Sequence, residues 1–240
     1  MFGTMINMIT APGETMETIV KEFNWKQALA PIALLMGLAV VSGFVLSDQI
    51  TDLQWEQIEK SIEGNSNIPE EQKEEILSKQ YDRVYSKSGT AAIFTYLSMA
   101  ISWPIRIAFW SLFAMLTANL FLGGGGTYGR MFTVTSFAYL PSAVEYIIKT
   151  PIQYITDNIM IYTGLGVLGI GEQGEFLNSL LGGIDLFAFW RVFIVALGVA
   201  LIYNKTTKTA ITAMTALWLL AWFSLPVLVL SLPVLSDRKG

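Results

Sequence analysis

The chain has 240 residues, 53% of them hydrophobic and 14% charged, against about 25% charged in an ordinary soluble domain. Its net charge of −4 leaves no basic footprint for nucleic acid. It has no cysteine and no histidine, which excludes disulfides, thiolate nucleophiles, Cys/His zinc sites, Ser-His-Asp triads and histidine-ligated haem.

Mean hydropathy is +0.51, and several uncharged stretches are long enough to cross a bilayer. The expectation is an integral, multi-pass membrane protein, in the cell membrane if the source is prokaryotic. Residues 1–24 carry Glu14, Glu17 and Glu22 against Lys21, which is not the pattern of a signal peptide. Met16, Ile19, Val20 and Phe23 share one helical face behind Pro12. The reading is an amphipathic interfacial segment over 1–27, with a helix from Pro12 to Asn24 and Trp25 as an aromatic anchor; a helix packed on the rest of the protein fits the same spacing.

The first predicted span is Leu29–Leu46, which carries no charge. Ala33/Gly37 and Ala39/Gly43 are small residues one turn apart, and such pairs let a second helix approach closely. Residues 48–89 differ in kind, with ten acids and five bases. Trp55, Ile58 and Ile62 form one stripe, and Leu77, Tyr81 and Val84 another. The stretch 63–67 reads as a turn, and Pro69 with Glu70 and Glu71 as a helix start. A water-exposed, acidic helical hairpin is expected between spans 1 and 2, as a solvated spacer or as a partner-binding surface.

The second span is predicted over Ile93–Leu122, broken by Trp103-Pro104-Ile105-Arg106. Pro104 removes a backbone hydrogen bond, and Arg106 in lipid calls for a carboxylate, a wet cavity or an interface. Four glycines, 123–126, follow as a turn; no strand precedes them and no GK[ST] follows, so they do not read as a phosphate loop. The third span is Met131–Ile148, with Pro141 as a kink and Glu145 one turn before Lys149. Residues 152–171 read as a short re-entrant or interfacial helix leading into a loop. The fourth span is Leu186–Tyr203, entered through Asp185 and bearing Arg191; the fifth is Thr209–Leu230.

With the N-terminus inside, the inner segments hold five bases, Lys21, Lys26, Arg130, Lys205 and Lys208. The outer segments hold nine, five in the hairpin plus Lys149, Arg191, Arg238 and Lys239. Taken literally, the positive-inside rule puts the N-terminus outside.

Three segments together resemble the Yip1 domain family of five-span membrane proteins, including its prokaryotic branch. They are Ala11-Pro12-Gly13-Glu14-Thr15-Met16-Glu17-Thr18-Ile19 leading to Trp25, Ser136-Phe137-Ala138-Tyr139-Leu140-Pro141, and Leu186-Phe187-Ala188-Phe189-Trp190 with Gly198, Lys205 and Lys208 behind it. The resemblance implies an all-α polytopic transmembrane bundle of five spans over residues 28–235, with the N-terminus cytoplasmic. Eukaryotic relatives bind small GTPases of the Rab type. The short N-terminal segment here does not support carrying that partner over.

No catalytic, cofactor-binding or metal-ligating set is expected. Gly169-Ile170-Gly171-Glu172 only echoes the surroundings of an intramembrane aspartyl protease. Two functions remain: a non-catalytic scaffold that organises the membrane through helix–helix association, and a transporter or channel for a small solute or lipid. The small pairs Ala33/Gly37, Ala39/Gly43, Ala114/Ala118 and Ala196/Ala200 suit the first. The kinks and charges Pro104/Arg106, Pro141/Glu145 and Asp185/Arg191 suit the second, with Arg106 or Arg191 expected to pair with Glu145 or Asp185. Partners would be membrane lipids, and a second copy or other membrane proteins.

Overall fold

The computed structural model describes residues 1–86, 89–170 and 181–236, without the side chains of 89–91 and 222–236. The described residues are helical with loops between. Two compact units are present: unit 1 comprises Met1–Leu35, Trp103–Glu145 and Tyr162–Gly240, and unit 2 comprises Met36–Ser102 and Tyr146–Ile161.

Two short helices open unit 1, α1 (Phe2–Thr10) and α2 (Pro12–Lys21). The first was not apparent from the sequence pattern. In α2, Pro12 and Glu14 occupy the first turn and Lys21 the last, as the helix dipole favours. Its apolar residues Met16 and Ile19 join Met8 of α1 in the core of unit 1. The face read as amphipathic is thus packed on protein. Asn24 then caps a 3-10 turn over Trp25–Ala28, its side chain accepting the Lys26 N–H at 3.0 Å.

Helix α3 (Leu29–Val45) is followed by α4 (Ser47–Glu63) and α5 (Glu70–Tyr85). The turn between α4 and α5 is set by the Asn65 side chain, which accepts the Asn67 N–H. The two helices pack through Trp55, edge-on to Tyr81 at 5.1 Å, and the Tyr85 hydroxyl donates to Asp52 at 2.8 Å. Lys73 is buried here, donating to the Glu63 carbonyl and to Glu70. Also in unit 2, a Cβ on Gly43 would overlap the Met99 sulfur, so the Ala39/Gly43 pair is used inside the molecule.

The remaining helices are α6 (Gly89–Leu122), α7 (Tyr128–Ala138), α8 (Leu140–Thr156), α9 (Leu186–Ile202) and α10 (Thr207–Ser236). A second 3-10 turn lies at Leu165–Leu168. In the glycine turn, Gly123 and Gly125 have φ of 87° and 147°, where a side chain is strained. A Cβ on Gly126 would strike the ring of Tyr203, whose hydroxyl donates to Asn119 at 2.7 Å. The core of unit 1 joins Ala114 and Ala118 of α6 and Val134 and Phe137 of α7 to Ile194, Ala196 and Val199 of α9.

The five-span expectation is corrected. Among the described residues three helices are long and apolar enough to cross a membrane: Trp25–Val45, Ala92–Leu122 and Tyr128–Thr156. The expected fourth span is a 17-residue helix, Leu186–Ile202, or about 26 Å at 1.5 Å per residue, short of a slab of about 30 Å. The expected fifth span, Thr209–Leu230, has described side chains only as far as Ala221. The third span is also longer than expected. It runs through Pro151 to Thr156, so residues 152–156 end α8 rather than starting a separate helix. Asp157, at φ 50°, then turns the chain. Gly171 and Glu172 lie outside the described residues, as do Lys87, Arg238 and Lys239.

Candidate functional site

Within unit 1, helices α6, α7, α9 and α10 enclose a cavity of about 360 Å³. Arg106, Thr135, Tyr139 and Arg191 supply its polar wall. Trp110, Val195, Leu217 and Trp218 are among its apolar lining residues.

Arg106 enters from α6, two residues after Pro104, which leaves the Ala100 carbonyl without its usual helical donor. From Arg106 the candidate span Ala92–Leu122 extends on both sides, about 21 Å toward Ala92 and about 24 Å toward Leu122 at 1.5 Å per residue. The guanidinium is therefore near mid-span. It is exposed and stands 5.1 Å from the Trp103 ring centroid. A cation–π contact of that kind contributes about 0.5–2 kcal/mol. Placing an arginine at the centre of a bilayer helix costs about 2.5–3.5 kcal/mol on insertion scales. The ring alone does not offset that cost, so the charge depends on the cavity for hydration or a counter-ion.

Arg191 is treated differently. Its Nη1 donates to Glu145 Oε2 at 3.0 Å and to Ser142 Oγ at 2.9 Å. The side chains of the pair are 24% and 23% exposed. The guanidinium also stands 5.9 Å from the centroid of Tyr139, whose other neighbour is Trp103, edge-on at 5.8 Å. Tyr139 is in position because the helix breaks there. It caps α7, and Pro141 opens the first turn of α8. The break turns Tyr139, Ser142 and Glu145, spaced by three, toward Arg191.

Thr135 is 1% exposed, and its hydroxyl has no hydrogen-bond partner among the described residues. Its neighbours on α7 are satisfied within the helix: Thr133 donates to the Gly129 carbonyl and Ser136 to that of Thr133. Asp185 caps α9 by accepting the Ala188 N–H at 2.6 Å and the Thr163 hydroxyl at 3.4 Å. Among the described residues no group of three His, Cys, Asp or Glu side chains is placed to hold a metal ion.

A family model of the Yip1 domain matches residues 6–234. The chain belongs to the Yip1 family. No curated protein and no solved structure matches it. The match covers nearly the whole sequence, and the long apolar helices make this Yip1 protein a membrane protein.

Of the six residues singled out from the sequence of this Yip1 domain, the structure brings Arg191 to Glu145 and sets Arg106 on the same cavity as Arg191. Pro104 and Pro141 shape the backbone beside it, and Asp185 serves as a helix cap. Sequence reasoning passed over Thr135, Tyr139 and Ser142. Tyr139, Ser142 and Glu145 recur every third residue, and Thr135 lies one turn before Tyr139; that helical spacing was the available signal.

Proposed function

We propose that this Yip1-family protein is non-catalytic and organises membrane components through helix–helix association, with other membrane proteins or with a second copy. The carrying observation is the contrast among its small-residue pairs. Ala114/Ala118 and Ala196/Ala200 are buried, and Gly43 is closed off by Met99. Ala33 and Gly37 are exposed, and a Cβ on Gly37 meets nothing within 4 Å. In lipid, where apolar burial between helices contributes little, such small residues let a second backbone approach closely enough for dispersion forces to hold it.

The test is cross-linking in native membranes with Gly37→Leu. Leucine there has room within the chain, so thermal stability is expected to hold while cross-linked species with self or partner disappear. Wild-type cross-linking by Gly37→Leu would overturn this role. A second reading, movement of a lipid or small solute, is favoured by the arginine-lined cavity beside two proline breaks. Flux across vesicles reconstituted with the protein would favour it over association.

A further inference from the structure

We propose that the cavity of unit 1 is a binding site for a phosphate-bearing anion, with Arg106 as its chief electrostatic partner, Arg191 as a second cation and Thr135 as a neutral donor. Three independent features of the wall converge on it.

The first is charge. The wall carries two guanidiniums and no carboxylate. Glu145 already balances Arg191. Arg106 makes no ion pair or hydrogen bond among the described residues; the Trp103 ring stands 5.1 Å from it. The site therefore holds one net positive charge halfway along a membrane-crossing helix. Planar guanidiniums present paired N–H groups that match phosphate oxygens.

The second is the Thr135 hydroxyl, buried at 1% exposure and unpartnered among the described residues, on the same wall. Thr133 and Ser136 show that hydroxyls on this helix can bond back to a carbonyl. Thr135 does not, and its proton is left for an acceptor in the cavity. The third is shape and polarity. About 360 Å³ is more than a lone phosphate needs and falls within the range of small-molecule sites. Trp110, Val195, Leu217 and Trp218 supply apolar lining beside the arginines. A headgroup at the arginines with an acyl chain against the apolar lining uses both kinds of wall. A free phosphate would satisfy only the polar groups.

The inference rests on the membrane reading and not on the association role, so the two fail separately: Gly37→Leu should retain the headgroup in full. The experiment is native mass spectrometry of the intact protein released from nanodiscs of phosphatidylcholine containing phosphatidylglycerol. Wild-type protein is expected to retain phosphatidylglycerol in preference to phosphatidylcholine. Arg106→Gln should lower that retention by about tenfold or more, as loss of a charged hydrogen bond does, and Thr135→Val should lower it less. Lys79→Gln, a change of charge on the exposed surface of α5, should leave it unchanged. A parallel arm adds inorganic phosphate. Displacement of the lipid assigns the site to a soluble phosphate, and no displacement assigns it to a lipid headgroup. Equal retention of phosphatidylcholine, or wild-type retention by Arg106→Gln, overturns the proposal. Should Arg106→Gln not fold, Arg106→Lys and Thr135→Val decide instead, and wild-type retention by both overturns it.

Discussion

Helices α4 and α5 of unit 2 and the cavity of unit 1 handle charge in opposite ways. On α4 and α5 the ion pairs Lys60–Glu56 and Lys79–Glu75 are local, one turn apart and exposed. Water and salt screen such pairs, and they add little to stability. In unit 1 the pair Arg191–Glu145 joins residues far apart in sequence, is three-quarters buried and is braced by Ser142. These two lysine pairs decorate the surface of α4 and α5, whereas the arginine pair joins α8 to α9. Charge count alone does not separate the two cases; partner distance in sequence and burial do.

The largest expected effect tests that contrast at its strongest point. Glu145→Gln leaves the Arg191 guanidinium without its counter-charge; breaking a fully buried pair from one side costs about 3–5 kcal/mol, and this partly buried pair should lose less than that. A fall in melting temperature in detergent is expected, with partial recovery in Arg191→Met/Glu145→Leu, where neither charge remains. The same measurement on Lys79→Ala should show no shift. If Glu145→Gln melts with the wild type, the pair does not hold α8 to α9. Next in size is Gly198→Ala. A Cβ there would run into the Val134 side chain, so α7 and α9 would have to separate. Overpacking of this kind costs about 1–3 kcal/mol. Val134→Ala in the same chain should restore most of the loss, and failure to rescue would place the cost elsewhere.

The sequence was most informative where one-dimensional pattern and three-dimensional role coincide. Apolar runs marked α3, α6 and the α7–α8 pair, because a helix that meets lipid must be apolar along its length. Pro69 and its acids marked the start of α5, and Pro12 that of α2. The pattern misled at Leu186–Ile202, where a run apolar enough for a span is a short helix whose inner face lies in the core of unit 1. Hydropathy does not distinguish a residue facing protein from one facing lipid. Of the site, the arginines and Glu145 stood out because charge in an apolar run is costly. Thr135 did not, since a threonine in a helix usually bonds to its own backbone. Only the fold shows that this one does not.

The smallest effect concerns the contact between α4 and α5. The Tyr85 phenol is pushed up to about 12 from its ordinary value near 10, first because its hydroxyl donates to the Asp52 carboxylate, and then through burial and the negative charge around it. A raised value means that the folded protein holds this proton more tightly than the unfolded chain does. The contribution to stability is therefore complete below pH about 10 and is lost as pH rises through about 12. At neutral pH the contact is constant, so α4 and α5 should not separate on mild acid or base through this group. Difference absorbance at 295 nm between wild type and Tyr85→Phe isolates its titration. Asp52→Asn keeps an oxygen that can accept the bond but removes the charge, so the midpoint should fall back toward 10. A midpoint near 10 in the wild type would mean that Tyr85 and Asp52 do not meet in solution. The packing of α4 on α5 would then rest on Trp55 against Tyr81 and on the Lys73 bond to the Glu63 carbonyl, and Trp55→Ala would weaken it further.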